Sequence, residues 1–200
     1  MKEIIGYFKM HQGYARMKDL KEAGFHTRRI KQLLLDGKIE KMKPGLYKLA
    51  NVDSMGNYFQ QFIDVQKSMP KGVICLISAL EYHQLTTVNP SKIYVALPNK
   101  EKPGKLKYPP TEVFYFRDQF YNRGIKEIQT ESGNFKIYNA EKTICDMFRY
   151  RNKLGEDTAL EGLKSYLKRK DAKINKLWEY AIKCRVKTIV HPYIKAMVVK

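Results

Sequence analysis

The amino-acid sequence predicts an α+β chain in two parts: three amphipathic helices and a two-stranded hairpin within residues 1–52, then a mixed α/β segment over residues 53–200. Three observations carry this division. Apolar residues recur at helical spacing as far as Leu34, then give way to two short extended runs that meet at Pro44-Gly45. Asn51 to Asn57 (NVDSMGN) has the polar, glycine-containing composition of a linker, which sets a boundary near residue 52. Lys and Arg outnumber Asp and Glu by 38 to 20 over the 200 residues, a formal charge of +18, while a hydrophobic fraction of 44% still suffices for a packed core.

The elements follow in order. Ile4, Ile5 and Phe8 give a first helix over residues 4 to 10, and Gly13-Tyr14-Ala15 is expected to follow it as a short extended link. The second helix runs from about Met17 to Ala23 with Leu20 inward, and stops at Gly24, where a left-handed cap is expected. The third begins at Thr27, whose hydroxyl suits an N-cap, places Ile30, Leu33 and Leu34 on one face and ends at Gly37. Ile39 to Met42 and Leu46 to Leu49 alternate as a hairpin. Three helices followed by a hairpin predict a winged helix-turn-helix.

Beyond the linker, helices are expected near Tyr58 to Ser68 and Leu76 to Leu85, and strands at Ile93 to Leu97 and Glu112 to Arg117 around a Pro- and Lys-rich loop, Pro98 to Pro110. Ile125 to Gln129 and Phe135 to Tyr138 read as a hairpin across Ser132-Gly133-Asn134. Three helices close this pattern. They are Ala140 to Arg151 capped by Asn139, Ala159 to Lys168 behind a capping box of Thr158 and Glu161, and Ile174 to Cys184 with Ile174, Leu177, Trp178, Ala181 and Ile182 on a core-facing stripe. Cys75, Cys145 and Cys184 are odd in number and widely spaced, which fits buried thiols rather than a disulfide framework or a zinc site.

On a helical wheel of the third helix, Arg28 and Gln32 point almost opposite to Ile30, Leu33 and Leu34, with Arg29 and Lys31 beside them. Arginine takes guanine O6/N7 and glutamine takes adenine N6/N7 in the major groove, so this face carries the chemistry of base readout. Residues 1–52 hold twelve Lys and Arg against five Asp and Glu, a net of +7. The expected DNA-binding set is Thr27, Arg28, Arg29, Lys31, Gln32, Lys38, Lys41 and Lys43, with the cations on phosphates. Leu35 near the same face keeps a second reading open, in which this surface makes protein contacts.

Asp19-Leu20, Ala23-Gly24-Phe25, Ile30, Leu33, Gly37-Lys38-Ile39 and Gly45-Leu46-Tyr47 resemble the N-terminal winged helix of AbiEi antitoxins, the regulatory half of type IV toxin–antitoxin and abortive-infection operons. Ser78-Ala79-Leu80, Leu85-Thr86, Ile93-Tyr94-Val95, Glu141 to Asp146 and a closing helix rich in Ala and Lys are similar to that family's C-terminal antitoxin domain. One departure is Lys43-Pro44, where an arginine before the glycine is common in the family. The resemblance implies a repressor that binds inverted repeats in double-stranded DNA upstream of its own operon. It also implies a functional antagonist of a nucleotidyltransferase-like toxin, acting through the C-terminal domain and without a stable complex. No cofactor and no catalysis are expected.

An enzyme is the rival class. His11, His26, His83 and His191 show no metal-ligand spacing, no serine sits in a nucleophile elbow and no glycine-rich phosphate loop is present, so no catalytic or metal residues are assigned. A nuclease would need carboxylates and a lysine around a divalent metal, for which Glu112, Asp118, Glu127 and Lys136 are the candidates. Asp146 is expected to be half-buried beside Arg149 or Arg117, and His83 to be a packed helix residue. Lys164 to Lys187 holds nine Lys and Arg against two Asp and Glu, either a second nucleic-acid surface or a solvated helix face. No apolar run reaches membrane-spanning length and no signal peptide is evident, so no membrane partner and a cytoplasmic location are expected.

Overall fold

The computed structural model describes residues 2–50, 59–103 and 106–198, in a mixed α+β architecture with two sheets. The linker expected at Asn51 to Asn57, and with it the boundary near residue 52, lies outside the described residues. The chain forms two compact units, one of Met1–Pro70, Lys102–Pro110 and Gln129–Asn134, the other of Lys71–Glu101, Thr111–Ile128 and Phe135–Lys200.

The first unit contains α1 (Lys2–Met10), β1 (Tyr14–Arg16), α2 (Met17–Glu22), α3 (Thr27–Leu35), β2 (Ile39–Lys43), β3 (Leu46–Leu49) and α4 (Gln60–Ser68). Ile4, Phe8, Leu20, Ile30 and Leu33 close on one another and on Ala15, Ile39 and Tyr47 of the strands, forming the core. Gly24 takes φ +83° after α2 and Gly37 takes φ +64° after α3, the left-handed conformation that ends a helix at least cost in glycine. Tyr14–Arg16 is a third strand rather than a free link: the sheet order is β1-β3-β2, with Tyr14 opposite Lys48 and Lys41 opposite Tyr47. Thr27 is the first helical residue of α3, and the cap is His26, whose carbonyl rather than side chain accepts from the Arg29 and Ile30 amides.

Strand alternation fixes the two sides of this sheet. Ala15, Ile39 and Tyr47 face the helical core, so Tyr14 and Lys48 face the opposite way, where α4 meets them. There the Tyr14 hydroxyl donates to Asp64, Gln60 Nε2 donates to the Tyr14 oxygen at 2.6 Å, and Lys48 Nζ reaches Asp64 at 3.0 Å. Burial, and then the Asp64 carboxylate beside it, push the Tyr14 phenol far above its ordinary pKa and keep it a neutral donor.

The remaining elements are β4 (Val73–Ile74), α5 (Leu76–Tyr82), β5 (Ile93–Pro98), β6 (Thr111–Phe116), α6 (Asp118–Tyr121), β7 (Ile125–Thr130), β8 (Gly133–Tyr138), α7 (Ala140–Arg149), α8 (Arg151–Leu154), α9 (Glu156–Leu167), α10 (Ile174–Lys183) and α11 (Lys187–Val198). Their strands form a five-stranded sheet in the order β6-β5-β4-β8-β7. β4 runs antiparallel to β5 and parallel to β8, and β5 runs parallel to β6. In the second unit, Leu76 and Leu80 of α5, Ile144, Met147 and Phe148 of α7, Leu163 of α9 and Leu177 and Ala181 of α10 fill the core. Asn139 caps α7 by accepting from the Lys142 amide at 2.9 Å, and all three cysteines are buried free thiols.

Three expectations need correction here. Thr158 and Glu161 do not form a capping box, because α9 already starts at Glu156 behind Gly155, and Glu161 instead accepts from Thr86 Oγ1 at 2.7 Å and from Thr87. Asp146 is fully buried, and its main partner is Lys142 one helical turn earlier, with Arg149 at 3.6 Å; Arg117 takes no part. The α10 stripe is narrower than its periodicity suggests: Leu177 and Ala181 are buried, while Ile174 and Ile182 remain 39% and 51% exposed.

Candidate nucleic-acid interface

α2 and α3 are joined by the four residues Ala23 to His26, with the Phe25 amide returning to the Leu20 carbonyl at 3.0 Å to tighten the turn. Ile30 and Leu33 anchor α3 in the core with no exposed surface, so the opposite face must be presented to solvent. Arg28 and Gln32 lie on it with Arg29 and Lys31 at its flanks, all four exposed, and Thr27 is half-buried at its start. No ion pair or hydrogen bond engages the side chains of Arg28, Arg29 or Lys31 among the described residues. Gln32 Nε2 donates to Asp36 at 2.7 Å across one turn, which holds the carboxamide near the C-terminal end of this face.

The charge order of α3 opposes its own dipole. Its first turn holds Arg28 and Arg29 and no acid, and its last turn holds no base. The positive end of a helix favours anions by about 0.3–1 kcal/mol per charge, so cations placed there raise the potential at a cost to the helix. An anion bound at this turn would relieve that cost.

The hairpin divides its lysines. Lys41 lies two residues from Ile39 and therefore on the α3 side of the sheet, exposed and without a partner among the described residues. A register shift between Lys41 and Lys43 then breaks the alternation. Beyond it, Lys43 is half-buried and its ammonium donates to the Ser68 carbonyl at the end of α4. Burial, and then Arg16, hold its pKa below the ordinary lysine range. Lys38, just past α3, is exposed.

α4 thus braces the hairpin from behind through Tyr14, Lys48 and Lys43. The sequence reading missed this brace because its partners lie 16 to 50 residues apart and no local pattern links them.

The residues considered for a nuclease are not brought together. Glu112 on β6 and Glu127 on β7 sit on the two outer strands of a five-stranded sheet, about 19 Å apart at the usual strand spacing. Glu112 is engaged by Lys153 at 3.0 Å and Lys92 at 3.8 Å, Asp118 opens α6 and Lys136 lies on β8. Among the described residues no three His, Cys, Asp or Glu side chains converge as metal ligands. No helix among them is long and apolar enough to cross a membrane. Of the C-terminal cations, Lys176 pairs with Glu141 at 3.2 Å and Arg169 donates to the His83 carbonyl, while Lys164, Lys168, Lys170, Lys173 and Arg185 are exposed.

Residues 4–50 match the family model described as transcriptional regulator, AbiEi antitoxin. The matched segment is α1 through β3, the part of the chain that carries α3 and the hairpin. No curated protein matches the chain.

Proposed function

We propose that α1 to β3 form a winged helix-turn-helix that binds double-stranded DNA, and that the protein is the autorepressor and antitoxin of a type IV toxin–antitoxin operon. The observation that carries the DNA reading is the outward face of α3, where Arg28 and Arg29 stand exposed and unpaired at the end of the helix that already bears positive potential, with Lys31 exposed and unpaired in the next turn. In this reading α3 enters the major groove, with Arg28 bidentate to guanine and Gln32 on adenine. Arg29, Lys31, Lys38 and Lys41 neutralise phosphates, and Thr27 donates to the backbone beside them. The bracing by α4 holds the hairpin at a fixed distance from α3, so that Lys41 and the reading helix meet one duplex together.

Lys43 is assigned a different part from the other lysines, because its ammonium is spent on the Ser68 carbonyl and it steadies the hairpin. The match over residues 4–50 supports the regulator and antitoxin reading. Antagonism of a nucleotidyltransferase-like toxin is assigned to the C-terminal part of the chain, and inverted repeats upstream of the operon are its DNA target. A reporter driven by that upstream region tests the proposal. Wild-type protein is expected to repress it and the Arg28→Ala/Gln32→Ala variant to lose repression at equal protein level; repression that survives the double change would remove α3 as the reading element.

A further inference from the structure

Asp36 stands where a helix disfavours an acid. It is the C-cap of α3, its amide donating to the Gln32 carbonyl at 2.8 Å and its side chain exposed. The C-terminal end of a helix is the negative pole of its dipole, and the last turn of α3 holds no base to offset a carboxylate there. No cation pairs with Asp36 among the described residues. An anion next to a surface that faces phosphates also repels DNA of any sequence. Neither the stability of α3 nor its attraction to a duplex accounts for an acid at this position. What Asp36 does engage is Gln32, whose Nε2 donates to its Oδ1 at 2.7 Å.

The consequence of that bond follows from the chemistry of the two groups. An ionised carboxylate only accepts, so it takes the NH2 end of the Gln32 amide and turns Oε1 away; the two ends of the amide are no longer interchangeable. Nε2 carries two protons and Asp36 takes one, leaving the other together with Oε1 as a donor–acceptor pair. Adenine offers the complement in the major groove, N7 as acceptor and the N6 amino group as donor, whereas guanine offers two acceptors, N7 and O6. A fixed amide meets adenine with two bonds and sets its own oxygen against guanine O6. A free amide turns its NH2 toward either purine. We propose, resting on the placement of α3 in the major groove, that Asp36 is a positioning residue: its carboxylate fixes the Gln32 amide so that α3 selects adenine over guanine. Asp36 acts through Gln32 and contacts no base in this role.

Asp36→Asn separates this role from that of an ordinary helix pair. Asparagine is close to aspartate in shape and still bonds the Gln32 amide, but it offers a donor as well as an acceptor and so holds neither orientation. Full-length wild type, Asp36→Asn and Gln32→Ala are compared by competition anisotropy on the upstream DNA and on duplexes in which each of its base pairs is replaced in turn. At the pair whose identity Gln32→Ala no longer senses, wild type is expected to favour adenine over guanine by at least about fivefold. Asp36→Asn should bring that ratio below about twofold, through tighter binding to the guanine duplex, and leave the other positions as they were. Its melting temperature should be no lower than that of wild type, because the substitution removes an anion from the negative end of α3. An Asp36→Asn protein that keeps the wild-type ratio would overturn the proposal, as would one that loses preference evenly across the site and melts lower. Gln32→Ala leaving every preference intact would also overturn it, while the DNA reading would still stand on the upstream site being preferred. Equal wild-type binding to upstream and scrambled duplexes would instead remove the DNA reading, and this proposal with it.

Discussion

Replacing Lys142 by methionine should destabilise the second unit by about 3–5 kcal/mol, the cost of leaving a buried charge without its partner. Lys142 and Asp146 have no exposed side-chain surface and are joined Nζ to Oδ2 across one turn of α7. The ammonium also lies 4.4 Å from the Tyr138 ring centroid and 5.0 Å from that of Phe116. Methionine matches the lysine stem in length and suits an aromatic surround, so the packing loss is small. What remains is the Asp146 carboxylate, whose Oδ1 has no hydrogen-bond partner and whose nearest cation becomes Arg149 at 3.6 Å. Arg149 does not make up the loss, since it already donates to the Cys184 carbonyl at 2.7 Å and lies over Phe120.

Removing both charges, Lys142→Met with Asp146→Leu, takes away the pair without stranding either member and should restore most of the loss. The assay is urea unfolding for the free energy and thermal unfolding for the melting temperature, both followed by the fluorescence of Trp178, the only tryptophan, which sits in the same unit. At roughly 2–4 °C per kcal/mol for a chain of this size, the single variant should melt about 6–20 °C lower. A single-variant loss under about 1 kcal/mol, or a double variant no more stable than the single one, would refute the account of α7.

Arg28→Ala should cost about 1–3 kcal/mol on the specific operator and almost nothing on unrelated DNA, measured by anisotropy on both; equal losses would make Arg28 a phosphate contact. Lys41→Ala should weaken binding to every duplex and lower the salt slope by about 1, whereas Lys43→Ala should leave the slope unchanged and lower the melting temperature instead. The His83 ring is bonded to the Tyr138 carbonyl at 2.7 Å; burial holds its pKa below the ordinary histidine value, reinforced by Lys126 and Arg169. Because the unfolded chain then takes the proton more readily, His83 contributes fully above about pH 6.5 and stability declines as pH falls below it. In a denaturant series, His83→Gln should flatten that part of the profile, and an identical slope in both proteins would contradict the assignment.

α3, the hairpin turn and the Asn139 cap were legible in the sequence because each rests on residues within one or two turns of one another. β1 was not, since its three residues are too few to show alternation and its partner Lys48 lies 34 positions beyond Tyr14. Lys142 escaped notice for a different reason. A lone lysine on an amphipathic helix reads as solvated, and only the packing of Phe116, Tyr138 and Asp146 around it makes it a core residue. Periodicity placed Ile174 and Ile182 beside Leu177, but it reports which residues share a side, not how wide a strip the neighbouring helices cover. On the candidate interface, the exposure of Arg28, Arg29, Lys31 and Gln32 followed directly from the buried Ile30 and Leu33. The diversion of Lys43 did not, because a strand bulge and an acceptor on α4 decide it.

The measurement that bears most directly on the central claim is anisotropy of the full-length protein on its own upstream DNA and on a scrambled duplex, over a series of salt concentrations. The account predicts a preference of at least about 10³-fold for the upstream site, persisting as salt rises, with both affinities falling along the salt slope of phosphate neutralisation. Equal and equally salt-dependent binding to the two duplexes would contradict it, leaving a cationic surface without a sequence to read.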